Sequence, residues 1–250
     1  MAERNPYQPP TAQVGDRFQA GPAGGTLEGG VAGAYDFKIG AVLGEAWRKT
    51  KGLKGAFWAA AILIYLLVFG VSFVLGILLG LAGDDPMASA LGQLVVQLVL
   101  MALIYPFMTG LIMLAVRRSV DLPVSYTMAF GFMDRTGPIL LAAILMTLLT
   151  FIGFLLLFLP GIYLSLAYAL TLPLIAEKGL GAWRAMEASR RAITRHWFKF
   201  FGLLFVMALI VTISAIPLGI GLIWTYPMMM NVLGIVYREA FGVEAARMAG

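Results

Sequence analysis

The sequence predicts an all-α integral membrane protein with six transmembrane helices in three hairpin repeats. Each hairpin is preceded by an interfacial amphipathic helix on the cytoplasmic surface. Three observations predict this. Sixty per cent of the 250 residues are apolar and only 12% are charged, with a mean hydropathy of +0.88 that lies outside the soluble globular range. Four stretches, 55–83, 86–116, 136–176 and 200–237, carry no charge at all. A single threading then places all eighteen Lys and Arg on one side of a bilayer.

The segment 1–35 holds seven Gly and four Pro with no regular period, and reads as a disordered cytoplasmic tail. It has no apolar stretch of signal-peptide type, so no cleavage is expected. The domain proper is 36–241, followed by a short cytoplasmic tail at 242–250. Its first two uncharged stretches each suit one spanning helix, over about 56–82 and 91–116. The other two are too long for one pass and suit tight hairpins, with spans near 138–158 and 162–176, then 200–216 and 218–237. Pro160-Gly161 and Pro217-Leu218-Gly219 mark the reversals. Asp84 and Asp85 are the only charges in an outward turn, so both termini are expected in the cytoplasm.

The amphipathic helices define the repeat. In the third copy, Trp183, Met186, Ile193 and Trp197 fall on one helical face, and Arg184, Arg191, Arg195 and Lys199 fall opposite. Such a helix is expected in the interface, with aromatics in the acyl boundary and cations at anionic headgroups. Arg190 falls on the apolar face, near Trp183 and Trp197, and its expected fates are snorkelling or pairing with a carboxylate such as Glu177 or Glu239. The first copy, 37–54, turns Ile39, Val42, Leu43 and Ala46 inward and Lys38, Glu45, Arg48 and Lys49 outward, with Asp36 as N-cap. The middle copy, 125–135, is short. The membrane halves repeat as well. Tyr105-Pro106 precedes Arg117 by the spacing at which Tyr226-Pro227 precedes Arg238.

Little enzymatic chemistry is available. Cysteine is absent, and a single His196 beside Trp197 has no clustered carboxylates. No nucleophile–base set or phosphate loop can be assembled, so neither an intrinsic enzyme nor a cofactor is expected. The basic balance belongs to residues flanking apolar spans, which points to anionic lipid and not to nucleic acid. No Asp, Glu, Lys, Arg or His lies inside an expected span, which argues against a coupled pump. Gln93 and Gln97 sit four apart on one helix face, with Asn231, Thr147, Thr150, Ser165 and Thr171 among the polar groups elsewhere in the spans. With the Tyr105-Pro106 and Tyr226-Pro227 pairs they are read either as a polar path or as helix-packing contacts, the latter favoured.

The run Pro160-Gly161-Ile162, then Tyr168 and Pro173, then Ala185 and Ser189, then Phe201-Gly202-Leu203 resembles a group of bacterial multi-pass proteins. That group includes the YciC-like proteins and the membrane domain attached to some glycerophosphodiester phosphodiesterases. The resemblance implies architecture and a bacterial cytoplasmic (inner) membrane location. It does not imply phosphodiesterase activity, since there is no room outside the spans for that catalytic barrel. The expected function is non-enzymatic: engagement of anionic lipid or a partner protein, in envelope organisation or membrane-stress tolerance. The alternatives are a small permease or channel for a lipid-like or apolar solute, and a curvature-generating hairpin protein. A homo-oligomer is compatible with all three.

Overall fold

The computed structural model describes residues 24–81 and 85–244. Among these the secondary structure is helical, with no β-strand. Helices α1 (Leu27–Ala32), α2 (Ile39–Leu81), α3 (Pro86–Ser119), α4 (Thr136–Leu156), α5 (Phe158–Ala167), α6 (Thr171–Lys178), α7 (Ala182–Arg195), α8 (Trp197–Ala215) and α9 (Leu222–Phe241) follow one another, with 3₁₀ turns at Tyr126–Phe130 and Met133–Arg135.

Five helical segments are long and apolar enough to cross a membrane: Ile39–Leu81, Pro86–Ser119, Tyr126–Leu156, Phe158–Lys178 and Trp197–Ala215. The protein is a membrane protein on that evidence. Helix α9 has the length of a span, but Arg238 and Glu239 at its end, with Tyr226, Pro227 and Asn231, dilute its apolarity, and it is not among the five.

Burial divides the bundle into two ends. The first half of α2, the second halves of α3 and α9, and helices α6 and α7 supply most of the core, with Leu53, Leu114, Leu174, Ile193 and Tyr237 fully buried. The opposite end is bare. Residues from Ile62 to Leu81, from Met87 to Val99, from Leu148 to Leu159 and from Phe205 to Ile223 include most of the exposed large apolar side chains. Exposed apolar surface on this scale is untenable in water and costs nothing against lipid tails.

Local chemistry explains the helix ends. Asp85 caps α3, accepting from the N–H groups of Met87 and Ala88 at 2.8 Å each, with Pro86 in the first turn. The α8–α9 reversal is made by Leu218 and Gly219, with φ of 52° and 76°. Helix α9 lies close against α3 because Gly234 has no side chain: a Cβ there would stand 2.6 Å from the Ala115 carbonyl. Pro106 and Pro227 are accommodated inside α3 and α9. The carbonyl of Ile223 takes the indole N–H of Trp58 at 2.8 Å, in place of the amide that Pro227 lacks.

Four expectations need correcting. Residues 24–35 are not a featureless tail. Thr26 caps α1, and Tyr35 donates to the Ala192 carbonyl at 3.1 Å. The remainder of the expected tail, 1–23, and the segment 245–250 lie outside the described residues. Second, the first amphipathic segment is no separate interfacial helix. It runs unbroken into the span, because the glycines at 52 and 55 stay helical and Gly52 makes room for the Arg118 guanidinium. At 1.5 Å per residue, α2 is roughly 64 Å long, about twice a hydrocarbon core. Third, Asp36 does not cap α2, which starts at Ile39; its carboxylate accepts from the Phe37 N–H and pairs with Lys199. Fourth, the middle copy forms 3₁₀ turns in place of an amphipathic helix. Only the third copy is a helix of its own.

A candidate lipid-facing site at the charged end of the bundle

Helix α7 is bounded by Gly179, left-handed at φ 67° at the end of α6, and by the non-helical His196. Its buried face is Ala182, Ala185, Met186, Ala188, Ser189, Ala192 and Ile193. Small side chains let it approach its neighbours closely. Ser189 accepts from the Leu170 N–H at 3.2 Å and donates to the Ala167 carbonyl at 2.7 Å, so it satisfies the backbone where α5 breaks from α6.

The expected partition of α7 is therefore corrected. Its apolar face is used in packing against the protein and is not available to the acyl boundary. Trp183 lies outside that face and is 63% exposed. Trp197 is half-buried and stacks on Phe201 with ring centroids 5.2 Å apart. The cationic face is exposed as expected. Arg184, Arg191, Arg195 and Lys199 all reach the surface.

Two of these four are already committed. Arg191 donates to Glu187 at 2.6 Å, and Lys199 pairs with Asp36. Arg184 and Arg195 form no ion pair among the described residues. Arg190 pairs with neither Glu177 nor Glu239; it donates twice to Glu187, at 2.8 Å each. Hydrogen bonds from Arg190, then Arg191, hold the Glu187 carboxyl down at about 2. His196 is a structural clasp, with Nε2 3.0 Å from the Gly33 carbonyl. Because a carbonyl only accepts, the ring carries its proton on Nε2 there.

A second charged cluster was not anticipated. Arg238 on α9 grips Glu45 on α2 through two bonds of 2.6 and 3.0 Å, and also donates to the Ser119 carbonyl and to Glu239. Lys49, expected outward, is buried and bonds Asp121 at 2.8 Å. Glu45 and Arg238 are distant in sequence, and only the packing of α9 on α2 brings them together. Deeper still, the Glu177 carboxylate, whose side chain is 2% exposed, accepts from the Tyr237 hydroxyl at 2.5 Å and from the Glu244 N–H at 2.9 Å, and pairs with Lys178 at 3.2 Å.

Between α3, the 3₁₀ turns and α6 lies a cavity of about 250 Å³, lined by Arg117, Arg135, Glu177, Met113, Met128 and Phe132 among others. Arg135 donates through one Nη to the carbonyls of both Ile175 and Ala176 at 2.9 Å, completing the end of α6.

The polar residues within the spans do not form one path. Gln93 and Gln97 are exposed on the bare half of α3, and neither makes a hydrogen bond among the described residues. Tyr105, Thr147, Thr150 and Ser165 do come together, with Tyr168, along an open groove of about 490 Å³ between α3, α4 and α5. Asn231 is buried elsewhere, its amide 3.3 Å from the Ala46 carbonyl. Tyr226 packs edge-on to Trp58 at 6.3 Å. Comparison with protein families, characterised proteins and solved structures returned no match.

Proposed function

We propose that this is a non-enzymatic, multi-pass protein of a bacterial inner membrane whose cytoplasmic face engages anionic lipid. In this reading α9 makes the sixth crossing. An even number of crossings returns the chain to its starting side, and so keeps every Lys and Arg in the cytoplasm. The observation that carries the reading is α7. Its apolar face is spent inside the bundle, while Arg184, Arg191, Arg195 and Trp183 face outward, joined by Phe198 and Lys199 at the start of α8. Such a surface meets a membrane through charge more than through insertion. A role in envelope organisation or stress tolerance follows from holding that surface against the inner leaflet.

The test uses the whole protein, because an isolated α7 peptide would expose the apolar face that the fold buries. Detergent-solubilised protein is titrated with small anionic vesicles at low salt. Replacing Arg184 and Arg195 with Gln should cost about 2 kcal/mol of attraction, roughly 30-fold in affinity. Replacing Arg191 and Lys199 should cost less, since Glu187 and Asp36 already neutralise them. Equal binding by wild type and all variants would remove the basis of the reading.

A second reading has its own support. The tips of the α4–α5 and α8–α9 hairpins are wholly apolar, with Leu155, Leu157, Leu159 and Leu218 all highly exposed. The α2–α3 turn, by contrast, carries Asp85. Apolar tips suit hairpins that end within the hydrocarbon as wedges and do not emerge into water.

A further inference from the structure

We propose that the cavity between α3, the 3₁₀ turns and α6 is a binding site for the phosphate of an anionic amphiphile. The inference rests on the anionic-lipid reading and assigns it a discrete site, separate from the α7 surface.

The lining has the chemistry of a headgroup pocket. Two arginines, Arg117 and Arg135, line it with one acidic residue, Glu177, and Arg117 is held by an Nε bond to the Pro123 carbonyl at 3.4 Å. That carboxylate is already satisfied by the Tyr237 hydroxyl, Lys178 and the Glu244 N–H, so it neither needs a cation nor strongly opposes an anion. Arg135 has one Nη fixed on the α6 carbonyls and its Nε 4.0 Å from the Asp134 carboxylate, which orients the fork and leaves the other Nη without an acceptor among the described residues. A guanidinium held this way is preorganised for a phosphate oxygen. The rest of the wall is apolar, with Met113, Met128 and Phe132 prominent.

Size and place agree with this. At about 250 Å³ the cavity is below the usual range for drug-sized ligands, and suits a headgroup better than a whole lipid. It lies where α3 ends, α4 begins and the buried α6 ends, at the charged end of α3 and α4, whose other ends are bare and apolar. A phosphate seated here would let its acyl chains run along those apolar surfaces.

The test is native mass spectrometry of the full chain released from nanodiscs of phosphatidylcholine with a minor share of phosphatidylglycerol. Wild type should retain one phosphatidylglycerol in preference to phosphatidylcholine. Arg135→Gln should lower that occupancy by about tenfold, the loss of one charge-assisted contact. Because Arg135 also completes α6, a second variant is needed. Met128→Trp leaves both guanidinium groups in place and fills the space, and it should lower occupancy equally. The Arg184→Gln/Arg195→Gln protein should keep its bound lipid while losing vesicle attraction, so the site and the surface fail independently. Displacement of the lipid by millimolar inorganic phosphate, with phosphate itself retained, would assign the site to a soluble phosphate. Equal retention of both lipids, or full retention in Met128→Trp, would overturn the site.

Discussion

The indole of Trp58 on α2 occupies the Ile223 carbonyl on α9, the acceptor that Pro227 leaves without its helical partner. In a bilayer a bare carbonyl has no water to turn to, so a proline in a membrane helix requires such a substitute. The contact also joins the first and last long helices of the fold.

Trp58→Phe removes the donor and keeps the ring. It should destabilise the solubilised protein by about 1 kcal/mol. In a Pro227→Ala background the helix supplies its own amide, and the same change should cost clearly less. Thermal unfolding of the four proteins in one detergent gives the cycle. Equal costs in both backgrounds would separate the indole from the proline.

Glu45 and Arg238 lock α2 to α9 through two short bonds. Both side chains are mostly but not wholly buried, at 23% and 16% exposure. Glu45→Gln should therefore cost about 2 kcal/mol, between the values for surface and fully buried pairs. Arg238→Met alone should cost at least as much, since it also strips a donor from the Ser119 carbonyl. The paired Glu45→Met/Arg238→Met protein should recover part of the loss.

Sequence reasoning reached the membrane class, the span-length apolar runs and the exposed cations of α7, because charge-free runs and helical periodicity are local properties. It placed the α8–α9 turn correctly at Pro217 to Gly219, but set the earlier reversal too late: the chain breaks at the extended Leu157, and Pro160-Gly161 lie in the first turn of α5. It missed that the apolar side of α7 is covered by the protein itself. Periodicity shows that a face is apolar and cannot say whether lipid or another helix covers it. Ala185, Ala188 and Ala192 hinted at helix packing, since small residues favour close approach over lipid contact. The Glu45–Arg238 and Glu177–Tyr237 pairs join residues far apart in the chain and had no local signature.

Glu187 provides a pH handle outside the spans. Its carboxyl is held at about 2 against an ordinary 4.5 by Arg190 and Arg191. The folded value is depressed, so its contribution is complete above about 4.5 and is lost as pH falls towards 2. The exposed setting keeps the effect small. Glu187→Gln should flatten the acid limb of the stability curve and leave neutral pH almost unchanged. An identical acid limb in the variant would show that the pairing does not persist in solution.

Gln93 and Gln97 are exposed on the bare half of α3. If they only face lipid, converting both to Leu should preserve or slightly raise stability and leave function intact. Loss of a deletion-rescue phenotype in a stable double variant would favour the permease reading, since an apolar lining rejects a solvated solute.

The absence of cysteine allows the topology to be read with one introduced thiol at a time. Membrane-impermeant maleimide applied to intact cells is the most direct measurement of the proposed arrangement. Cysteine at Met87, Leu159 or Leu218 should label from outside, and cysteine at Arg184 or Asp121 should label only after the cells are opened. Labelling of Arg184 or Asp121 in intact cells would place the charged end outside and contradict the account. Protection of Leu159 and Leu218, with Met87 still labelled, would convert the two later hairpins from crossings into wedges and contradict the six-span arrangement.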